Sequence, residues 1–233
     1  MLVNGAIWAA LALLASRWAA TPHDSLAAPA EDAPVDSSGP RPWRLLIPLV
    51  ILAICGTLVE DIANNWTVLF LGREAGAPAG IAGLGFTTVT AAQFIGRLLG
   101  DPMTDRWGRE RVAAAGGLLV ALGFVLVIAA PVYAVAFAGF ALAGFGCATL
   151  VPAAFAAAGR LPGFAHGTGI ALLGWLMRLG FLLTSPVIGV LSDATSLRAA
   201  MLVPLAAGLI AALIAHGMRR AATRDANAGL TSS

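Results

Sequence analysis

The chain has 233 residues and a net charge of +2; 59% of its residues are hydrophobic and only 11% are charged. Soluble domains are about 45–50% apolar and about 25% charged, so this composition excludes a water-soluble fold and predicts an all-α membrane protein. The arginines are spread over many loops and form no basic groove, and no nucleic-acid partner is expected. Both cysteines, Cys55 and Cys147, lie inside apolar runs, where we expect neither a disulfide nor a metal or cofactor site.

Seven apolar runs approach the length of about 20 residues that a membrane-spanning helix requires, the first being marginal: 2–16, 45–71, 80–99, 112–130, 133–158, 168–191 and 199–218. No positive residue precedes the first run, which favours a transmembrane helix over residues 1–18 rather than a signal peptide. Residues 19–44 hold five prolines together with acidic and serine residues, which predicts a flexible linker. A six-helix bundle over 45–218 and a cytoplasmic tail over 219–233 are expected to follow.

The distribution of arginine predicts the orientation in the membrane. If the segment 100–111 lies in the cytoplasm, eleven of the fourteen arginines fall on that side, Arg73 and Arg198 fall outside, and Arg178 lies within a span. We therefore expect a multi-pass protein of a bacterial inner membrane, with the linker and the C-terminus in the cytoplasm.

A short charged cassette, residues 96–111, lies between two apolar runs and predicts a tight cytoplasmic turn. Its core at 105–109, Asp-Arg-Trp-Gly-Arg, resembles the loop motif of the major facilitator superfamily of secondary transporters. The preceding Gly-Arg-Leu-Leu-Gly-Asp is similar to the fucose-permease-like and related bacterial branches of that superfamily. Two positions depart from the motif, since Asp101 stands where the leading glycine is usual and Glu110 replaces a basic residue. Residues 180–189 look like a Gly-rich helix of the same branches, with Thr184 and Ser185 in place of its Gly-Pro lead-in.

This resemblance implies a fold of twelve helices in two six-helix halves. Residues 1–18 then resemble helix six, 19–44 the central cytoplasmic linker, and 45–218 the bundle of helices seven to twelve. The chain would be the C-terminal half of a transporter, with an N-terminal six-helix half as its missing partner. No enzymatic activity is expected.

Polar residues of the run 45–71 follow helical spacing and form one stripe, which includes Glu60, Asp61 and Asn64. An ionised side chain at mid-bilayer costs at least about 2.5–3.5 kcal/mol, so two adjacent acids at this depth indicate a function. We expect Glu60 to face a central aqueous cavity and to bind substrate or a proton. The alternative is that the stripe only pairs with neighbouring helices.

Two further residues within spans are candidates for the same site. Arg178 lies near the middle of the run 168–191, and we expect it to pair with Glu60 or Asp61, or else to bind an anionic group of the substrate. Gln93 is a candidate to line the pore.

By the resemblance, the cassette closes the cytoplasmic face through charge and helix-end contacts. The alternative is that its charges are solvated turn residues. Arg97 is expected to pair with Asp101 or Asp105, and Asp105 is expected to lack the partner that the opposite half supplies in the family. The gating candidates are Arg97, Gly100, Asp101, Asp105, Arg106, Gly108 and Arg109.

These features together predict a secondary transporter of a sugar or other small organic solute in the lipid bilayer, working by alternating access, with protons as a candidate coupling ion. Two alternatives stay open. The chain is a truncated or structural membrane subunit that transports nothing, or it is half of a multidrug efflux transporter.

Overall fold

The computed structural model describes residues 43–161 and 167–231, without the side chains of Ala63 and of residues 221–231. The helix expected over 1–18 lies outside these ranges, as does the linker expected over 19–44 apart from its last two residues. All described residues belong to one compact unit, Pro40–Ser233, and all their regular elements are helices.

The helices of the described residues are α1 (Trp43–Asn65), α2 (Thr67–Arg73), α3 (Ala79–Ala82), α4 (Leu84–Trp107), α5 (Arg109–Ala129), α6 (Tyr133–Cys147), α7 (Leu150–Ala158), α8 (Thr168–Ala194), α9 (Leu197–Ala200) and α10 (Leu202–Thr231). Within the described residues, six stretches are long and apolar enough to cross a membrane: Trp43–Ile62, Ala79–Trp107, Arg109–Ala129, Tyr133–Ala158, Thr168–Ala194 and Leu197–Arg220. The six spans expected between 45 and 218 are thereby confirmed. The last helix does not end near 218 but continues to Thr231.

Two interruptions within spans follow from proline chemistry. The proline ring clashes with the carbonyl group four residues earlier and kinks or breaks the helix there. Pro152 lies four residues after Ala148, where α6 gives way to a short turn before α7. Pro204 lies four residues after Ala200, the last residue of α9. Each of these two spans therefore consists of two helices.

Glycines let the spans pack with their backbones in contact. Helix α5 packs against both α6 and α10. A Cβ atom at Gly123 would lie 2.5 Å from the carbonyl oxygen of Gly139 on α6, and one at Gly117 would lie 2.8 Å from the carbonyl oxygen of Gly208 on α10. Small residues at these interfaces are what close helix packing in lipid requires.

The cassette at 96–111 is helical almost throughout, which corrects the expectation of a turn over 100–111. Helix α4 continues to Trp107 and α5 begins at Arg109, so Gly108 alone separates them. Gly108 has a φ of +86°, a conformation that glycine adopts without steric cost. We call the end of the bundle that holds Gly108 the motif end, and the opposite end, where α2 and α5 finish, the far end.

The spans differ in how much of them the bundle covers. In the most apolar part of each span, 61% of α1 is buried, against 22% of Ala79–Trp107 and 11% of α8. Helices α4 and α8 therefore present apolar faces that the described residues leave uncovered, while α1 packs against both of them.

Candidate functional site

Glu60 on α1 and Arg97 on α4 form an ion pair between neighbouring spans. The Nη2 atom of Arg97 lies 2.5 Å from Oε1 of Glu60, and Nε2 of Gln93 lies 3.4 Å from the same oxygen. The side chain of Glu60 is 30% exposed and that of Arg97 is 57% exposed, so the pair lies on the wall of the bundle and not in its core. We call Glu60, Gln93 and Arg97 the ion-pair patch. Pairing with a cation offsets part of the cost of a carboxylate within a span.

Gln93 is buried and connects the ion-pair patch to α6. Its Nε2 atom also donates to Sγ of Cys147 at 3.1 Å, and this thiol donates to the carbonyl oxygen of Gly144 at 3.3 Å. The amide of Gln93 is therefore held between α1 and α6, at the level of Glu60.

Asp61 is only 2% exposed and has its partners on the side of α8. Its Oδ2 atom accepts a hydrogen bond from Oγ of Ser185 at 2.7 Å, and its Oδ1 atom accepts one from Nδ2 of Asn65 at 2.8 Å. Oγ of Ser185 accepts in turn from Nε1 of Trp66 at 3.4 Å. These four residues form the Asp61 cluster, in which neutral donors satisfy both carboxylate oxygens.

Helix geometry explains why two adjacent acids have different partners. Successive side chains on an α-helix point about 100° apart, and α1 contacts both α4 and α8. Glu60 therefore reaches α4 and Asp61 reaches α8. Ser185, the partner of Asp61, was interpreted from the sequence only as a departure from a Gly-Pro pattern. Its hydroxyl group within an apolar run was the signal that could have indicated a polar partner.

The expected pair between Arg178 and an acid of α1 is wrong. Arg178 lies on the exposed side of α8 and forms no ion pair with Glu60 or Asp61. The reason is that Arg97 already binds Glu60, while hydroxyl and amide donors bind Asp61. The binding of an anionic substrate group by Arg178 stays a prediction. Asn64 is exposed, and its amide donates to the carbonyl oxygen of Glu60 at 2.8 Å, within α1.

A cavity of about 420 Å³ lies at the motif end, between α4, α5 and α7. Arg97 lines it and so connects the ion-pair patch to the cassette. Arg97 was expected to pair with Asp101 or Asp105, but in this structure its guanidinium reaches across to Glu60 on α1. The cavity's other polar or motif-derived lining residues are Gly100, Asp101, Thr104, Arg109 and Thr149.

Two further charged residues of the cassette lie at the surface of the motif end. Asp105 and Arg106 are exposed, and the guanidinium carbon of Arg106 lies 5.9 Å from the ring centroid of Trp107. Within 43–161 and 167–231, no group of three or more histidine, cysteine, aspartate or glutamate side chains is arranged to hold a metal ion.

Arg198 forms a hub at the far end that sequence reasoning missed. Its Nη1 atom donates to the carbonyl oxygens of Ile128 at 2.6 Å and Ala130 at 3.2 Å, and its Nη2 atom donates to the carbonyl oxygen of Glu74 at 2.9 Å. Its Nε atom lies 3.6 Å from Oε2 of Glu74, and its guanidinium carbon lies 5.6 Å from the ring centroid of Phe70. Arg198 thereby joins the C-terminal ends of α2 and α5 to α9.

In the described residues, six apolar spans, an ion pair between α1 and α4 and a buried acid between α1 and α8 define a multi-pass helical membrane protein with polar groups within its spans. The family model of the Major Facilitator Superfamily matches residues 49–231, and the chain belongs to this superfamily. The resemblance carried by the cassette is thereby confirmed.

Among curated proteins, the chain is 30% identical over 162 residues to the membrane protein MosC of Rhizobium meliloti, covering 70% of this chain and 40% of MosC. It is also 30% identical to an uncharacterized MFS-type transporter of Yersinia pestis, covering 69% of this chain and 41% of that protein. The chain thus spans about two fifths of the length of these relatives.

Solved structures of the superfamily share the fold. The transporter FucP in its outward conformation matches with a TM-score of 0.67 and 21% identity, covering 76% of this chain and 42% of FucP. A peptide transporter, POT, in complex with sulfate matches with a TM-score of 0.66 and 18% identity, covering 75% of this chain and 37% of that protein.

Proposed function

We propose that the chain is half of a secondary transporter that carries a small solute across a membrane by alternating access. The ion-pair patch carries this proposal, because it places hydrogen-bonding groups on the wall formed by α1 and α4 in a fold of this superfamily. Charged side chains within spans mark solute and ion pathways. The partial exposure of Glu60 and Arg97 leaves both side chains available to a bound solute.

The chemistry of the patch favours an uncharged polar solute, such as a sugar. The charges of Glu60 and Arg97 cancel, while the carboxylate, guanidinium and amide groups offer both acceptors and donors to hydroxyl groups. A fucose:proton symporter is among the proteins with this fold. Proton coupling through Glu60 or Asp61 belongs to the same proposal.

Arg178 is proposed as a further solute contact on α8. It lies seven residues before Ser185, and residues seven apart lie on the same side of a helix. Its exposed guanidinium therefore lies on the side of α8 that carries the Asp61 cluster, about two turns nearer the motif end. This position suits an anionic or hydroxyl group of a solute.

A second six-helix bundle is the partner that we propose. Helices α4 and α8, which contact α1, are the spans least covered by the described bundle, at 22% and 11% buried. The matched regions make up about two fifths of the curated relatives, which leaves room in those proteins for a second half. A bundle seated on α4 and α8 would cover their apolar faces and enclose the polar groups of α1.

We propose that the motif end faces the cytoplasm, in a bacterial inner membrane. Several arginines lie at this end, including Arg106, Arg109, Arg111 and Arg160, and positive residues favour the cytoplasmic side. A reporter fused after residue 233 tests this: a reporter active only in the periplasm is expected to stay silent, and strong activity would contradict the orientation.

Uptake by proteoliposomes tests the transport proposal. The chain is reconstituted alone and together with the segment encoded upstream, and a panel of labelled sugars and small organic acids is offered. We expect uptake only when both halves are present, and Glu60→Gln to reduce it about tenfold, because losing one charge-assisted hydrogen bond of about 1.5 kcal/mol changes a rate by that factor. Asp193→Asn, an exposed acid outside the polar site, is the control.

The outcomes separate the rival functions. Wild-type uptake by Glu60→Gln would contradict the role of the ion-pair patch. Transport of lipophilic cations in preference to sugars would indicate multidrug efflux. Absence of transport of every solute by every combination of halves would favour a structural subunit.

A further inference from the structure

We propose that Arg97 is a switch with two acidic partners: Glu60 on α1, which it binds in this structure, and Asp101, one turn further along α4. The inference rests on the proposed function, since it links the solute site to the motif end. Asp101 stands where the loop motif usually has glycine, so the second partner is a feature of this chain's own sequence.

Arg97 can reach Asp101 without any movement of the backbone. Residues four apart on a helix are neighbours on its surface, with Cβ atoms about 5–6 Å apart. Both side chains line the same cavity of about 420 Å³, and Arg97 is 57% exposed, so its guanidinium has open space in which to rotate.

Both acids tolerate the loss of Arg97. When Arg97 leaves Glu60, the amide of Gln93 still lies 3.4 Å from Oε1 of that carboxylate and remains held by Cys147. When Arg97 stays with Glu60, Asp101 is exposed and lines an open cavity, and it forms no ion pair with any described residue. Neither arrangement leaves a carboxylate buried without a donor.

The two arrangements have different mechanical consequences. The pair with Glu60 links α1 to α4, whereas a pair with Asp101 lies within α4 alone. Helix α4 packs mainly on α6, so the ion pair with α1 is a minor part of its contacts. Breaking this ion pair therefore leaves most of the packing of α4 intact. A solute that donates hydrogen bonds to Glu60 competes with Arg97, and the released guanidinium then neutralises Asp101 at the motif end.

A cycle of substitutions on the intact chain, paired with its other half where that is needed for expression, tests this switch. The readout is the rate at which a maleimide labels a Thr104→Cys reporter, since Thr104 lines the same cavity, while Cys55 and Cys147 are buried. Glu60→Gln frees Arg97 and is expected to change the labelling rate about twofold, the scale of one ion pair on a helix. Asp105→Asn is the matched control, because Asp105 is an exposed acid of the same cassette that does not line the cavity.

The switch requires that the effect of Glu60→Gln disappear when Asp101→Asn or Arg97→Gln is also present, and that it persist with Asp105→Asn. An effect that persists unchanged with Asp101→Asn, or that Asp105→Asn abolishes equally well, would overturn the proposal. If Glu60→Gln does not fold, Glu60→Asp, which shortens the reach to Arg97, is expected to show the same pattern. If uptake depends on Glu60 but the labelling effect does not depend on Asp101, the switch alone is refuted. If the labelling effect depends on Asp101 but uptake does not depend on Glu60, only the proposed function is refuted.

Discussion

The hub at Arg198 leads to the most quantitative prediction about this bundle. Replacing Arg198 by leucine removes three hydrogen bonds to the carbonyl oxygens of Ile128, Ala130 and Glu74, at 2.6, 3.2 and 2.9 Å. It also removes the contact with the ring of Phe70 and the ion pair with Glu74. The carbonyl groups at the ends of α2 and α5 then lose the donors that they have in the structure.

The magnitude follows from these contacts. A hydrogen bond involving a charged group contributes about 1.5–3 kcal/mol, and two of the three are short. Arg198 is about one-third exposed, so water replaces part of the loss and the low end of that range applies. The ring contact adds roughly 0.5–1 kcal/mol and the partly exposed ion pair about 0–1 kcal/mol. Counting only the two short bonds, at about 1.5 kcal/mol each, we expect Arg198→Leu to lower the free energy of unfolding by about 3.5–5 kcal/mol.

Thermal unfolding in detergent, followed by intrinsic tryptophan fluorescence, measures this effect. For a chain of this length, about 3.5–5 kcal/mol corresponds to a fall in Tm of roughly 7–20 °C. Arg198→Lys keeps the charge but loses the planar fork of donors, and its Tm should lie between those of the unchanged protein and of Arg198→Leu. Arg73→Leu, an exposed arginine beside Glu74, serves as the control. A fall in Tm for Arg198→Leu no larger than that for Arg73→Leu would refute the reasoning.

Three further predictions concern local geometry. Gly116→Leu should lower Tm sharply, because a Cβ there would lie 2.5 Å from a carbonyl oxygen of α6, whereas Gly80→Ala, in open space, should leave Tm unchanged; equal effects would argue against the packing. Ser185→Ala removes the donor to Asp61 and should cost about 1–3 kcal/mol, while Ser185→Thr should retain most of the stability, and similar Tm values for both would contradict this. Gly108→Ala, at a φ of +86° and a ψ of 146°, should cost about 1–3 kcal/mol and raise hydrogen exchange in the last turn of α4; unchanged exchange would contradict it.

The spans were predictable because apolar length and composition are local properties of the chain. The runs at 133–158 and 168–191 match spans of the structure closely, and the glycines of α5 and α6 lie at helix interfaces as expected. The cassette was identified correctly as a family motif but not in its local structure. One glycine with positive φ is enough to reverse the chain, so the remaining cassette residues stay in the helices on either side.

The ion pairs were not predictable, because a pair depends on which faces of distant helices meet. The sequence placed Arg178 level with the acids of α1, yet the residue of α8 that reaches Asp61 is Ser185, about two turns further along the helix. The guanidinium that reaches Glu60 belongs to Arg97, which the sequence had assigned to the motif. Arg198 was one of two arginines expected on the side of the membrane that has few arginines. Nothing in the neighbouring sequence indicated that three helix ends meet around it.

The sequence by itself determined the membrane class, the six spans and the superfamily, because lipid selects apolar length and because the motif residues are contiguous. Only the tertiary structure decided which partners the charged side chains within the spans have. Adjacent side chains on α1 point about 100° apart, so Glu60 and Asp61 serve two different helix interfaces. Which residues stand opposite them is set by the packing of α4 and α8 against α1, and no local pattern in the chain encodes it.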